Sequence, residues 1–163
     1  MGAGKTTVGK LLARRLQWQF IDLDDRIRER ERRTIPQIFR DSGEELFRRV
    51  ETACLRELLS PGLAHTVLAL GGGAIVDPRN ADIVRDSGVP VVFLDASPAE
   101  LFRRCAPEAG ARPLLADENQ FRQLYELRRK HYMATGVRVD TTASAPEQVA
   151  AEIVRRLDLR EYS

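Results

Sequence analysis

Gly4-Lys5-Thr6 carries the clearest chemical signal in the sequence. It has the spacing of the G-K-T end of the phosphate-binding pattern G-x-x-x-x-G-K-[ST], and Met1, Gly2 and Ala3 fill the places ahead of it. Glycines let backbone N–H groups turn inward around phosphate oxygens, where a side chain would collide. Lys5 has the charge and reach to bridge β- and γ-phosphates, and the Thr6 hydroxyl suits Mg²⁺. Other residue groups also suit chemistry. Asp22 and Asp24 lie one residue apart at the end of an apolar stretch, where both can face one crevice or where Asp24 or Asp25 can cap the next helix. Arg48 and Glu51 are spaced i, i+3, either a plain surface pair or a fixed guanidinium. Gly71-Gly72-Gly73 is either a loose turn or a bare backbone against which a small ring can pack.

Half of the phosphate motif is missing. Its first glycine belongs five residues before Gly4, and the strand that feeds such a loop is absent as well. The expectation is a chain truncated at its N-terminus through that strand and glycine. Loss of a strand from within a parallel sheet predicts two unpaired neighbours and a large apolar slot. The 163 residues as they stand are expected to be poorly folded or inactive, and an added upstream strand and glycine to restore them.

Elements that position these residues follow from periodicity. Val8, Leu11, Leu12 and Leu16 repeat at helical spacing, so the loop opens onto a helix N-terminus that favours anions. Phe20–Leu23, Thr66–Leu70, Val89–Leu94 and Val137–Asp140 read as short strands. Between them lie a charged helix from Asp25 to Arg33, a short helix opened by Thr34-Ile-Pro-Gln37, and a longer one from Ser42-Gly-Glu-Glu45 carrying Leu46, Val50, Cys54 and Leu58. Further helices start at Asp77-Pro78 and Ser97-Pro98, run from Phe121 through Tyr132, and start again at Ser144-Ala-Pro146. Residues 106–117 show no period and read as a lid. Strands alternating with helices as solid apolar runs predict an α/β fold, a parallel sheet covered on both faces, in a single domain over residues 1–163. Ligands collect at the carboxyl ends of such strands, where the phosphate loop, Asp22/Asp24 and the triple glycine all fall.

Composition bounds the rest. At 43% hydrophobic and 31% charged the chain is ordinary for a soluble domain, and no apolar run approaches the ~20 residues needed to span a bilayer. Net charge of +2 argues against nucleic acid, and the alternating signs of Asp25–Arg33 read as a solvated helix face. Cys54 and Cys105 fit no metal or redox spacing and read as buried thiols in a reducing cytoplasm. The basic residues are 23 arginines against three lysines, a bias that suits bidentate recognition of carboxylate and phosphate. His65 and His131 read as surface residues or supports, and Trp18 as core packing.

Gly-Ala-Gly-Lys-Thr6, Asp22-Leu-Asp24, Phe47-Arg-Arg-Val-Glu51, Gly71-Gly-Gly73, Arg112-Pro-Leu-Leu115 and an arginine four residues before Tyr132, taken together and in this order, resemble the shikimate kinase family over essentially the whole chain. The resemblance implies a three-layer α/β/α P-loop fold of the nucleoside-monophosphate-kinase type, with five parallel strands, the first missing here, and a mobile lid. It implies phosphorylation of the 3-hydroxyl of shikimate with MgATP, in chorismate and aromatic amino-acid biosynthesis, by a cytoplasmic monomer with no nucleic-acid or membrane partner. Nucleotide binding is carried over to Gly2, Ala3, Gly4, Lys5, Thr6, Thr7, Arg104, Arg112 and Pro146, and Mg²⁺ to Thr6 and Asp22. Asp24, Arg48, Gly71, Gly72, Gly73 and Arg128 are carried over as the shikimate site, with Glu51 holding Arg48 in position. Lys5, Asp24 and the lid's Arg112 are carried over as the catalytic residues. Lys130-His131 stands where the family has Pro-Leu, so Arg129 is a rival to Arg128, and the lid's length leaves the alignment of Arg104 open. Two other readings share the fold: a related sugar-acid kinase, and a ligand-sensing module that has lost catalysis.

Overall fold

The computed structural model describes residues 2–60, 64–105 and 117–160. Helix α1 (Lys5–Leu16) is followed by strand β1 (Gln19–Asp22) and helices α2 (Leu23–Glu31) and α3 (Ile35–Leu58). Strand β2 (Thr66–Ala69) ends in a 3-10 turn at Ala74–Val76 and leads to α4 (Pro78–Asp86). The second half runs β3 (Val92–Asp95), α5 (Pro98–Cys105), α6 (Glu118–Thr135), β4 (Val137–Asp140) and α7 (Pro146–Arg156).

Local chemistry sets these boundaries. Thr34 and Gln37 exchange a reciprocal capping box at the start of α3, with Pro36 in its first turn. Gly43 breaks α3 with φ 77° and ψ 172°, so the two helices read from the sequence meet there at a kink. Helix α2 begins two residues earlier than its charge run suggests, because Asp22 caps it: its Oδ1 accepts from the Asp24 N–H at 3.0 Å. Asp77 and Asp117 cap α4 and α6 in the same way. At α7 the Gln148 side chain reaches back to the Ala145 N–H at 3.0 Å.

All strand pairing among the described residues is parallel. β1 pairs with β2 and β3 with β4, but the two pairs are not hydrogen-bonded to each other. Between β2 and β3 lies an apolar cavity of about 440 Å³, walled by Thr66–Ala69 on one side and Val92, Phe93 and Leu94 on the other. This is the slot expected from the sequence. Its other walls come from α1 through Val8 and Leu12, and from Tyr125 and Tyr132 of α6.

Three buried clusters cover the strands. Leu23 and Ile27 of α2 meet Ile38, Cys54 and Leu55 of α3 and Val84 of α4. Val8, Leu12 and Leu16 of α1 pack on Val149, Ala150 and Ile153 of α7. Phe93, Leu101, Phe121 and Tyr125 join α5 and α6 to β3. Tyr132 packs against the first and last of these three clusters, so α6 ties the β2 side of the slot to the β3 side.

Candidate active site

The two ends of the crevice are built by different elements. At the phosphate end, Gly4 caps α1 with φ 78°, a left-handed conformation that a side chain would strain, and its carbonyl accepts from the Val8 N–H at 2.8 Å. Gly2 backs onto α5, where an added Cβ would lie 2.6 Å from the Leu101 carbonyl oxygen, and Ala3 is buried beside it. Lys5, Thr6 and Thr7 form the first turn of α1, whose unsatisfied N–H groups and dipole suit an anion. The Thr6 hydroxyl donates to Asp22 Oδ2 at 3.3 Å. That places two oxygen ligands side by side next to the loop, a donor set that fits Mg²⁺, which binds few protein oxygens and keeps several waters. No larger metal cluster of His, Cys, Asp or Glu is present among the described residues.

The other end is organised by the triple glycine after β2. Each glycine meets a different element there. A Cβ built on Gly71 would sit 2.8 Å from Asp24 Oδ1, so the first turn of α2 touches this backbone. A Cβ on Gly73 would sit 3.0 Å from both Nη atoms of Arg48 on α3. The carbonyl of Gly72 accepts a hydrogen bond from the Tyr132 hydroxyl of α6. Burial raises the Tyr132 pKa, and the Arg128 guanidinium one turn earlier draws it back by interacting with the phenol. Asp24, Arg48 and, through Tyr132, Arg128 therefore approach Gly71–Gly73.

Arg48 is held from two sides. Its Nη1 donates to Glu51 Oε2 at 2.8 Å, while Nε and Nη2 both donate to Glu44 Oε1 at 3.2 Å. Glu51 is 1% exposed. Burial pushes its pKa up, Arg48 pulls it down, and the nearby Asp24 and Asp77 carboxylates push it up again. For Arg48 itself burial favours the neutral form, and the two glutamates more than offset that. Asn80, also buried, approaches the same Glu51 oxygen through Nδ2 at 3.5 Å. With three of its five N–H groups engaged, the guanidinium keeps one on each Nη for a carboxylate ligand.

Arg129, the rival to Arg128, is otherwise engaged: its Nη2 donates to Asp95 Oδ2 at 3.1 Å. Arg104 turns toward the end of β4, donating to the Thr141 hydroxyl at 3.1 Å, the Thr141 carbonyl at 2.9 Å and Glu100 at 2.9 Å. Pro146 lies in the first turn of α7, a few residues beyond Thr141. Arg112 and nearly all of the segment read as a lid lie outside the described residues. Three participants were not read from the sequence at all. Glu44 had the visible signal of i, i+4 spacing to Arg48; Asn80 and Asp95 had none, because their partners lie about thirty residues or more away in the sequence.

Comparison with known proteins agrees with this geometry. The family model "Shikimate kinase" matches residues 1–158. The shikimate kinase of Thermus thermophilus is 43% identical over 160 residues, which covers 96% of this chain and 85% of that protein. That of Persephonella marina is 36% identical, covering 96% and 94%. Among solved structures, shikimate kinase from Acinetobacter baumannii in complex with shikimate superposes with a TM-score of 0.88 at 36% identity, covering 96% of this chain and 88% of that one. The chain belongs to the shikimate kinase family.

Proposed function

We propose that this protein transfers the γ-phosphoryl group of ATP to the 3-hydroxyl of shikimate, giving shikimate 3-phosphate and ADP for chorismate and aromatic amino-acid biosynthesis. The observation that carries this reading is the glycine turn. Asp24, Arg48 and, through Tyr132, Arg128 converge on three consecutive bare backbone positions. A small ring with one carboxylate and vicinal hydroxyls matches that set: arginines for the carboxylate, an aspartate for hydroxyls, and open backbone for the ring face.

In this reading Arg48, oriented by Glu51 and Glu44, and Arg128, beside Tyr132, hold the carboxylate. The ring lies against Gly71, Gly72 and Gly73. Asp24 accepts the proton of the 3-hydroxyl as its oxygen attacks the γ-phosphorus, while the bond from that phosphorus to the β-phosphate oxygen breaks. Lys5 and the amides of residues 2–7 hold the β- and γ-phosphates. Thr6 and Asp22 would hold Mg²⁺, which would supply charge neutralisation at the phosphates. Arg112 meets the transferred group as the lid closes and water is excluded. Arg104 and Pro146 border the adenine. Most of the rate enhancement comes from positioning and electrostatics.

The reading of the protein as a monomer rests on the assigned residues all coming from one chain. No helix among the described residues is long and apolar enough to cross a membrane. Assignment to the cytoplasm rests on two buried free thiols, and the absence of a nucleic-acid partner on the small net charge. Shikimate binding followed by calorimetry, and phosphate transfer from MgATP followed by product analysis, test the proposal. Both are measured in the 163-residue chain and in one lengthened upstream by an apolar strand and a glycine. Shikimate 3-phosphate is expected from the lengthened chain; a sugar acid accepted in preference, or binding without turnover, would overturn it.

A further inference from the structure

We propose that Asp95 is a positioning residue which, by gripping α6, sets how Arg128 meets the substrate carboxylate; this rests on the role given to Arg128 above. Asp95 ends β3, and its side chain is only 3% exposed. Three donors converge on it. Tyr125 donates from its hydroxyl to Oδ1, and Arg129 Nη2 and Arg138 Nε both donate to Oδ2, at 3.1 and 2.6 Å. Two of the three come from α6, spaced i, i+4, so Asp95 holds one face of that helix over a full turn.

The other grip on α6 lies one turn on. Tyr132 donates to the Gly72 carbonyl, and Arg128, four residues before it, interacts with the same phenol. The pairs 125/129 and 128/132 are offset by about 60° around the helix. Fixing one pair on Asp95 therefore fixes the direction in which the other points. The two anchors belong to different halves of the split sheet, since Asp95 closes β3 and Gly72 follows β2. Sequence chemistry shows why α6 needs such an anchor: among the described residues only Phe121 and Tyr125 of its eighteen are buried, so apolar packing alone leaves its rotation weakly specified. Lys130 and His131, between the two grips, are exposed and add nothing to that packing.

Arg138 supplies an internal control. It binds the same Asp95 oxygen from β4, half exposed, and its other donor goes to Asp140 rather than to α6. Removing Arg129 or Arg138 takes one arginine from the same carboxylate, but of these two only Arg129 belongs to the helix, where it acts beside Tyr125. Shikimate dissociation constants are measured by calorimetry for the wild-type chain and for Arg128→Gln, Arg129→Gln and Arg138→Gln, with thermal unfolding of each. The expected result is a rise of about tenfold for Arg129→Gln and less than about twofold for Arg138→Gln, at similar losses of thermal stability. Equal effects of the two, or no effect of Arg129→Gln, would overturn the proposal and reduce Asp95 to a fold-stabilising cluster. Should Arg129→Gln not fold, Arg129→Lys is read against the same two outcomes. A normal affinity in Arg128→Gln, or no binding by the wild type, would instead overturn the role of Arg128.

Discussion

Each glycine of the turn after β2 faces a different side chain, and the nature of that neighbour decides what a methyl group would do. At Gly71 the nearest atom is the Asp24 carboxylate, and at Gly73 it is the Arg48 guanidinium. Neither position has positive φ, so alanine fits the backbone and its cost falls on the far ends of two side chains. Gly73→Ala is expected to weaken shikimate binding about tenfold, the equivalent of ~1.4 kcal/mol. Gly71→Ala displaces the proposed proton acceptor and is expected to slow transfer about 100-fold with a smaller loss of affinity. Both should leave thermal stability nearly unchanged, since side-chain ends move and no core is opened. Binding calorimetry, single-turnover transfer and thermal melts on the pair separate these effects; two equal losses of stability would show a generally disrupted turn.

At the scale of elements, Asp95 joins β3, β4 and α6. Burial alone would raise its pKa, but hydrogen bonds from Tyr125, Arg138 and Arg129 more than offset this and hold its carboxyl below the usual aspartate range. Asp140, which also accepts from Arg138, is the other carboxylate nearby. A folded-state pKa below the unfolded one means stability that is present above the ordinary value of 3.8 and is lost as pH falls through the folded value. The stability gap between wild type and Asp95→Asn is therefore expected to be constant near neutrality and to narrow on acidification below about pH 4, as urea melts at stepped pH would show. An unchanging gap would mean that the charge contributes nothing. This cluster also marks the limit of what could be read from sequence. Strands and helices were legible because apolar residues repeat at their own period, and boundaries slipped by one to three residues where a cap such as Asp22 decided them. The Arg48–Glu51 pair was legible because i, i+3 residues share a helix face. Asp95 was not, because its partners lie 30, 34 and 43 residues away and meet it only after three elements have packed.

For the whole molecule, stability turns on the slot. Among the described residues strands β2 and β3 each pair on one side only, and the cavity between them is walled by apolar side chains and the strands' facing edges. Backbone N–H and C=O groups along such edges need partners, and in a parallel sheet the fitting partner is another parallel strand. The cavity is of ligand size, yet its apolar walls suit neither a carboxylate nor a phosphate; Asp24 and Arg48 lie beyond the carboxyl end of β2, against Gly71 and Gly73. Ala3 and Lys5 also line the cavity, so a strand filling the slot in the direction of β2 and β3 would run directly into the phosphate loop. Five to six residues of alternating valine, isoleucine and leucine ending in glycine, joined ahead of Met1, are thus expected to unite the two strand pairs. Burying several such side chains is worth about 2 kcal/mol each, so the melting midpoint should rise by about 10 °C or more. Phosphate transfer should rise with it, because the added glycine completes the amide cradle around the β-phosphate. A matched extension of serine and asparagine separates filling of the slot from mere added length: it should leave both quantities where they were. If the apolar extension changed neither, the slot would be a stable feature of the fold and the two half-sheets would need no strand between them.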